Sequence, residues 1–147
     1  MAGARDVDGV VELANDLRAI ILRLARHLRS QAHVSGLTGG QVAILVAIEF
    51  NPGITSQELA EREGLSGPGV SGHLARLEGM GLIQRERTPG QLGVGLFLTV
   101  SGTALVGMIR EQRTSWLTER LEGLAPSDRD AIRASLPILD QVSLGDR

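Results

Sequence analysis

Residues 66–81 read SGPGVSGHLARLEGMG. Val70, Leu74 and Leu77 stand four and three residues apart, the spacing of one buried helical face. Five glycines and a proline lie among them, although glycine and proline are the poorest helix formers. What surrounds this segment has to explain why its helix is built from such small residues.

Upstream, Thr55 with Glu58 and Thr38 with Gln41 fit the capping box, in which a hydroxyl and a side chain three residues on satisfy free backbone donors reciprocally. They predict helices over roughly 55–63 and 38–50, joined by a turn at Asn51-Pro52-Gly53. Downstream, LIQRER (82–87) and VGLFLT (94–99) are short apolar or alternating runs on either side of Thr88–Gly93, which holds a proline and two glycines. That pattern is a β-hairpin with a long tip. Ser101 caps a long helix to about Gly123, and Ser127 with Asp130 opens the last one, which Pro137 should bend or interrupt. At the other end, Val7, Val10, Ala14, Leu17, Ile21, Leu24 and Leu28 step by three and four, the apolar seam that two packed helices share. Arg18, Arg23, Arg26 and Arg29 lie off it. The seam is that of a core helix with a solvated basic face, or of a helix completed by a second subunit. The order is four helices, a hairpin and two helices, a mainly α chain with a small β-hairpin wing (α+β).

Composition narrows the classes. The 147 residues are 42% hydrophobic and 22% charged, enough for a real core. The absence of cysteine excludes disulfides, thiolate metal sites and thiol-based oxidant sensing. No apolar run approaches a membrane span, and Met1 to Gly9 lacks the apolar stretch of a signal peptide, which predicts a cytoplasmic protein. His27, His33 and His73 form no metal-ligand cluster with acids, and no serine sits in a nucleophile elbow, so neither an enzyme nor a metal or other cofactor is indicated. All fifteen basic residues are arginine and the net charge is −2. That balance gives no advance sign of a nucleic-acid partner.

The run GITSQELAEREGLSGPGVSGHLARLEGMGLIQRE, followed by LFLTVSGTAL, resembles the MarR family of bacterial transcription regulators, which are winged helix-turn-helix dimers. Leu59-Ala60, Gly64-Leu65-Ser66, Val70-Ser71, Leu77-Glu78, Gly81-Leu82, Leu98-Thr99 and Gly102 carry the likeness. It implies one domain over 1–147, with a DNA-binding lobe over 37–100 and a helical dimerisation region over 1–36 and 101–144. Residues 66–80 would be the recognition helix in the major groove and 82–99 the wing. Two-fold symmetry would then match a palindromic operator in double-stranded DNA. The DNA contacts so implied are Thr55, Ser56, Gln57, Ser66, Gly67, Pro68, Gly69, Ser71, Gly72, His73, Arg76, Arg85, Arg87 and Gln91. The homodimer interface would take Val10, Leu17, Ile21, Leu24, Leu117, Leu121, Leu124, Ile132 and Leu139.

The glycines then have two readings. Gly67, Pro68 and Gly69 follow the cap Ser66 and fall in the first turn, where proline costs little. Gly72 is well inside, at a cost near 1 kcal/mol relative to alanine. Side chains this small let the backbone approach DNA, leaving base reading to Ser71, His73 and Arg76; the alternative is a helix end shaped only for a tight turn.

The wing departs from the family pattern. Aligned on Leu98-Thr99, the usual aspartate and arginine of the tip fall at Gly90 and Leu92. Residues 55–99 also hold four arginines against five glutamates, whereas a DNA-reading surface is expected to be basic. Two functions follow: a DNA-binding repressor, or a winged-helix dimer used for protein contacts or sensing with weak or no specific DNA binding. The resemblance further implies a small aromatic or anionic effector, for which His27, His33 and Trp116 are candidate contacts.

Overall fold

A computed structural model describes residues 2–31 and 36–144, with the backbone alone for 2–6. Its elements are α1 (Ala2–Ser30), α2 (Gly39–Phe50), β1 (Ile54–Thr55), α3 (Ser56–Glu63), α4 (Gly67–Gly79), β2 (Ile83–Glu86), β3 (Gly95–Leu98), α5 (Val100–Glu122) and α6 (Pro126–Leu144). The chain divides into compact units at residues 1–113 and 114–147, with the boundary inside α5.

The first unit is organised around α2. Its continuous apolar run buries Val42, Ile44, Leu45, Ala47 and Ile48, while Gly39, Ala43 and Phe50 stay exposed along the opposite side. Leu37, Ile54 of β1, Leu59 of α3, Val70, Leu74 and Leu77 of α4, Leu82, Ile83 of β2, Leu96 of β3 and Val106 and Ile109 of α5 complete the cluster. Gln41 is buried too, but the reciprocal cap satisfies it: Thr38 N–H donates to Gln41 Oε1 at 2.9 Å and Gln41 N–H to Thr38 Oγ1 at 3.3 Å. The Thr55 box forms in the same way. The three apolar residues that predicted α4 are all among those buried.

Four local expectations give way. The sheet has three strands in the order β1-β3-β2, because Ile54 and Thr55 pair antiparallel with Leu96 and Gly95 on the far side of β3. Thr99, not Ser101, caps α5: its Oγ1 accepts from Gly102 N–H at 3.0 Å and donates to Gly81 O at 2.6 Å. Gly102 fits there because a Cβ would collide with the Leu82 carbonyl. In the second unit, α6 starts at Pro126, with the Ala125 carbonyl accepting from Asp128 and Arg129, so Ser127 lies inside the first turn. Pro137 does not interrupt that helix, which runs through to Leu144.

Candidate nucleic-acid interface

α3 and α4 form the helix-turn-helix. α3 ends on Gly64 in the left-handed conformation (φ 62°, ψ 29°), which residues with a Cβ rarely adopt. Two residues later Ser66 caps α4, its Oγ accepting from Gly69 N–H at 3.3 Å. The face of α4 opposite Val70, Leu74 and Leu77 is exposed and presents Gly67, Pro68, Gly69, Ser71, Gly72, Ala75 and Arg76. A Cβ built at Gly67 or Gly72 would meet nothing within 4 Å, so no packing inside the described residues calls for glycine at either position. At Gly69 a Cβ would come within 3.1 Å of the Ser66 cap oxygen, and that glycine has a local reason.

The other expected contacts are distributed unevenly. His73 is half-buried, with Nε2 3.4 Å from where a Cβ on Gly40 would stand; it faces the start of α2 instead of joining Ser71 and Arg76 on the outer face. Thr55 is committed to its cap, donating its backbone N–H and its hydroxyl to Glu58 Oε2 at 2.8 Å each. These bonds, the backbone one foremost, hold the Glu58 carboxyl below its ordinary pKa. Gln57 donates to Glu61 at 3.2 Å. Arg85 on β2 reaches back to Glu78 of α4 at 3.1 Å and to Ser56 Oγ at 3.4 Å, so it joins the wing to both helices instead of extending outward. Gln91 also turns inward, donating from Nε2 to Gly53 O at 2.7 Å.

This pairing sorts the charges. Arg62 donates to Asn51 Oδ1, Arg85 is held by Glu78, and Glu58, Glu61 and Glu86 each accept from a neighbour. Arg76 and Arg87 are exposed and have no hydrogen bond or ion pair among the described residues. Glu63 likewise has no partner among the described residues, so the lobe's excess of one glutamate coexists with two unengaged guanidinium groups and one unengaged carboxylate, a segregation that residue counting cannot reveal.

The effector candidates separate. His33 lies outside the described residues, His27 is exposed near the end of α1, and Trp116 belongs to the second unit, with the Arg120 guanidinium 5.0 Å from its ring centroid. A different group emerges in the first unit. Arg113 donates to Leu28 O at 3.2 Å, and its pKa is lowered first by burial and then by the charge of Arg29. Beside it a cavity of about 110 Å³ opens between α2 and α5, lined by Val46, Glu49, Phe50, Val106, Ile109, Arg110 and Arg113, with Arg110 ion-paired to Glu49 at 2.5 Å. Arg29 and Arg113 are too far apart in sequence for any motif to have joined them.

Of the expected interface positions, Val10, Ile21 and Leu24 of α1 are exposed by 60%, 50% and 43%, and Leu121, Leu124, Ile132 and Leu139 by 37% to 41%. Leu17 and Leu117 are half-buried.

Comparison with known proteins bears on this arrangement. A model described as MarR family matches residues 35–91. An HTH-type transcriptional regulator of Mycobacterium leprae is 33% identical over 135 residues, 90% of this chain and 94% of that protein. The fold is similar to that of a MarR family protein from Bacillus stearothermophilus, with a TM-score of 0.78 at 24% identity over 92% of this chain and 96% of the other. It is also similar to a variant of Staphylococcus aureus MepR solved bound to an oligodeoxyribonucleotide, with a TM-score of 0.66 at 20% identity over 88% and 96% of the two chains.

Proposed function

Because the chain belongs to the MarR family of helix-turn-helix transcriptional regulators, we propose that it acts as a homodimeric repressor that reads a palindromic operator with two copies of α4. The observation that carries this reading is the outer face of α4. It is exposed, it includes glycines at 67 and 72 that nothing internal requires, and it ends on the unengaged Arg76. A backbone that has to lie against DNA accounts for all three features at once. The free donors of the first turn and the helix dipole suit a phosphate there, and Arg76 has the reach for a guanine edge or a phosphate. Arg87 supplies a second cation from the wing. Ser66, Pro68, Ser71 and Ser56 complete the contact set, while Thr55, His73, Arg85 and Gln91 hold those groups in position.

Dimerisation is supported by α1. Val11 and Leu22 on one side of its seam, and Leu13 and Ile20 on the other, are also exposed. The apolar stripe thus covers more than half the circumference, wider than the ~100° that one neighbour covers. A second copy would place the two α4 helices about 34 Å apart, one turn of duplex. In the cavity beside Arg113, Glu49 already neutralises Arg110, so an anionic effector would be held by Arg113, where it would relieve the repulsion from Arg29.

The test is selection of duplexes from a random pool by the purified protein, followed by mobility shift of the winners. A palindrome bound in one step by two chains is expected. Failure to enrich any duplex would instead favour a winged helix used for protein contacts, the reading to which the lobe's acidic balance points.

A further inference from the structure

The wing tip carries Leu92, which is 97% exposed, more than any other large apolar side chain of the described residues. It does not sit on a slack loop. Gln91 N–H closes a turn onto Thr88 O at 3.1 Å, and the Gln91 amide is tied to Gly53 O. On the other side, Gly93 (φ 100°) lies against the cap of α3, since a Cβ there would come within 3.2 Å of Thr55 Cγ2. Gln91 is thus bonded to the turn that precedes the helix-turn-helix and Gly93 packs against its first cap, while the Leu92 side chain lies almost wholly in solvent.

We propose that Leu92 is a specificity-determining contact, an apolar group that enters the minor groove beside the α4 site and selects A·T over G·C pairs there. The proposal rests on the DNA-binding reading above. Because the tip is fixed to the start of α3, any docking of α3 and α4 on a duplex carries Leu92 with it. Residues 88–95 contain no charge, so the loop meets no carboxylate repulsion on entering a polyanionic groove. Arg87, exposed and without a partner among the described residues, stands at the base of the loop where a phosphate wall would pass. A leucine forms no hydrogen bond and so cannot read the acceptors that every base pair shows in the minor groove. It can read the one feature that differs sterically, the guanine 2-amino group, which projects from the groove floor and keeps an apolar side chain from close contact. Such a contact releases no counterion, so its contribution is independent of salt.

The experiment uses the duplex selected from the random pool, with base pairs flanking the α4 contacts changed one at a time from A·T to G·C and to inosine·C. Inosine presents the major-groove face of guanine but lacks the 2-amino group. At one flanking position the native protein should bind the A·T and inosine·C duplexes alike and the G·C duplex about five- to tenfold more weakly, the scale of one apolar side chain's contact. Leu92→Ala should weaken binding to the A·T duplex by a similar factor, lose the discrimination, and leave the salt slope unchanged. Since the side chain touches almost nothing in the free protein, the variant should fold as the native chain does. Equal binding of inosine·C and G·C at every flanking position, or discrimination that survives Leu92→Ala, overturns the proposal while leaving DNA binding intact. A Leu92→Ala protein that binds and discriminates normally but changes its state of association would make Leu92 a protein contact, which also overturns it. If no duplex is selected at all, the DNA-binding reading fails first and this one with it.

Discussion

The lobe and the helices that flank it treat apolar residues in opposite ways. The described residues that are both buried and hydrophobic all lie between Leu37 and Ile109. In α6 no residue is buried, and along α1 Val7, Val10, Val11, Leu13, Ile20, Ile21, Leu22 and Leu24 remain exposed. Both regions are patterned for burial, but among the described residues only the lobe and the start of α5 achieve it. A winged helix-turn-helix closes a core of its own, whereas the apolar stripes of the flanking helices stay largely exposed.

The sharpest way to break that contrast is to place charge on the seam. Leu17→Glu combined with Leu24→Glu should dissociate the proposed dimer, each unpaired carboxylate costing several kcal/mol if buried at an interface. Circular dichroism should still report a helical lobe. Sedimentation equilibrium of the double variant should give a monomer; a native chain already monomeric at micromolar concentration would remove the basis of the comparison.

At the start of α5, where it packs on the lobe, two glycines sharpen it. Gly102→Ala forces a methyl group against the Leu82 carbonyl, and overpacking of that kind costs about 1–3 kcal/mol or more. Gly107→Ala meets nothing within 4 Å and should be neutral or stabilising by up to about 1 kcal/mol. Denaturant midpoints of the two variants should move in opposite directions. A common shift would mean that the close approach at Leu82 is not a constraint.

Arg76→Ala tests the lobe's outer face. Affinity for a selected duplex should fall by about 1–3 kcal/mol with relaxed specificity if the guanidinium pairs with a guanine edge. If it holds a phosphate, the loss should be uniform and the salt slope flatter by about one. Unchanged affinity with unchanged stability would make Arg76 an ordinary surface residue.

The parts of this molecule that read clearly from sequence are those decided by neighbours three or four residues away. The Thr38 and Thr55 boxes, the buried face of α4 and the hairpin are of that kind. What did not read clearly depends on distant atoms. Ile54 and Thr55 become a strand only because Leu96 and Gly95 run beside them, and Thr99 displaces Ser101 as a cap because Gly81 and Leu82 anchor it from behind. His73 and Gln91 look like DNA contacts in one dimension; in three, the His73 ring lies beside Gly40 and the Gln91 amide is bonded to Gly53 O. The Arg29 and Arg113 pair has no local signature, because burial and proximity create it. Pro137 disrupts less than its chemistry suggests, since α6 continues through it along an exposed stretch.

The smallest expected effect is the most discriminating. Gly72 lies inside α4 on the exposed face, with room for a methyl group on every side. Gly72→Ala should therefore raise stability by about 0.5–1 kcal/mol, through better helix propensity and a less flexible unfolded chain. If glycine there serves no contact, affinity for a selected duplex should be unchanged. If it is there so that the backbone of α4 can lie against DNA, the methyl group stands in the contact and affinity should fall while stability rises. Packing within the lobe cannot produce opposite signs from one methyl group that touches nothing, so a thermal melt and a titration on the same variant separate the two causes. A gain in stability with no loss of binding would remove the steric argument for the glycines of α4, and Arg76 and the cap donors would then have to account for the contact alone.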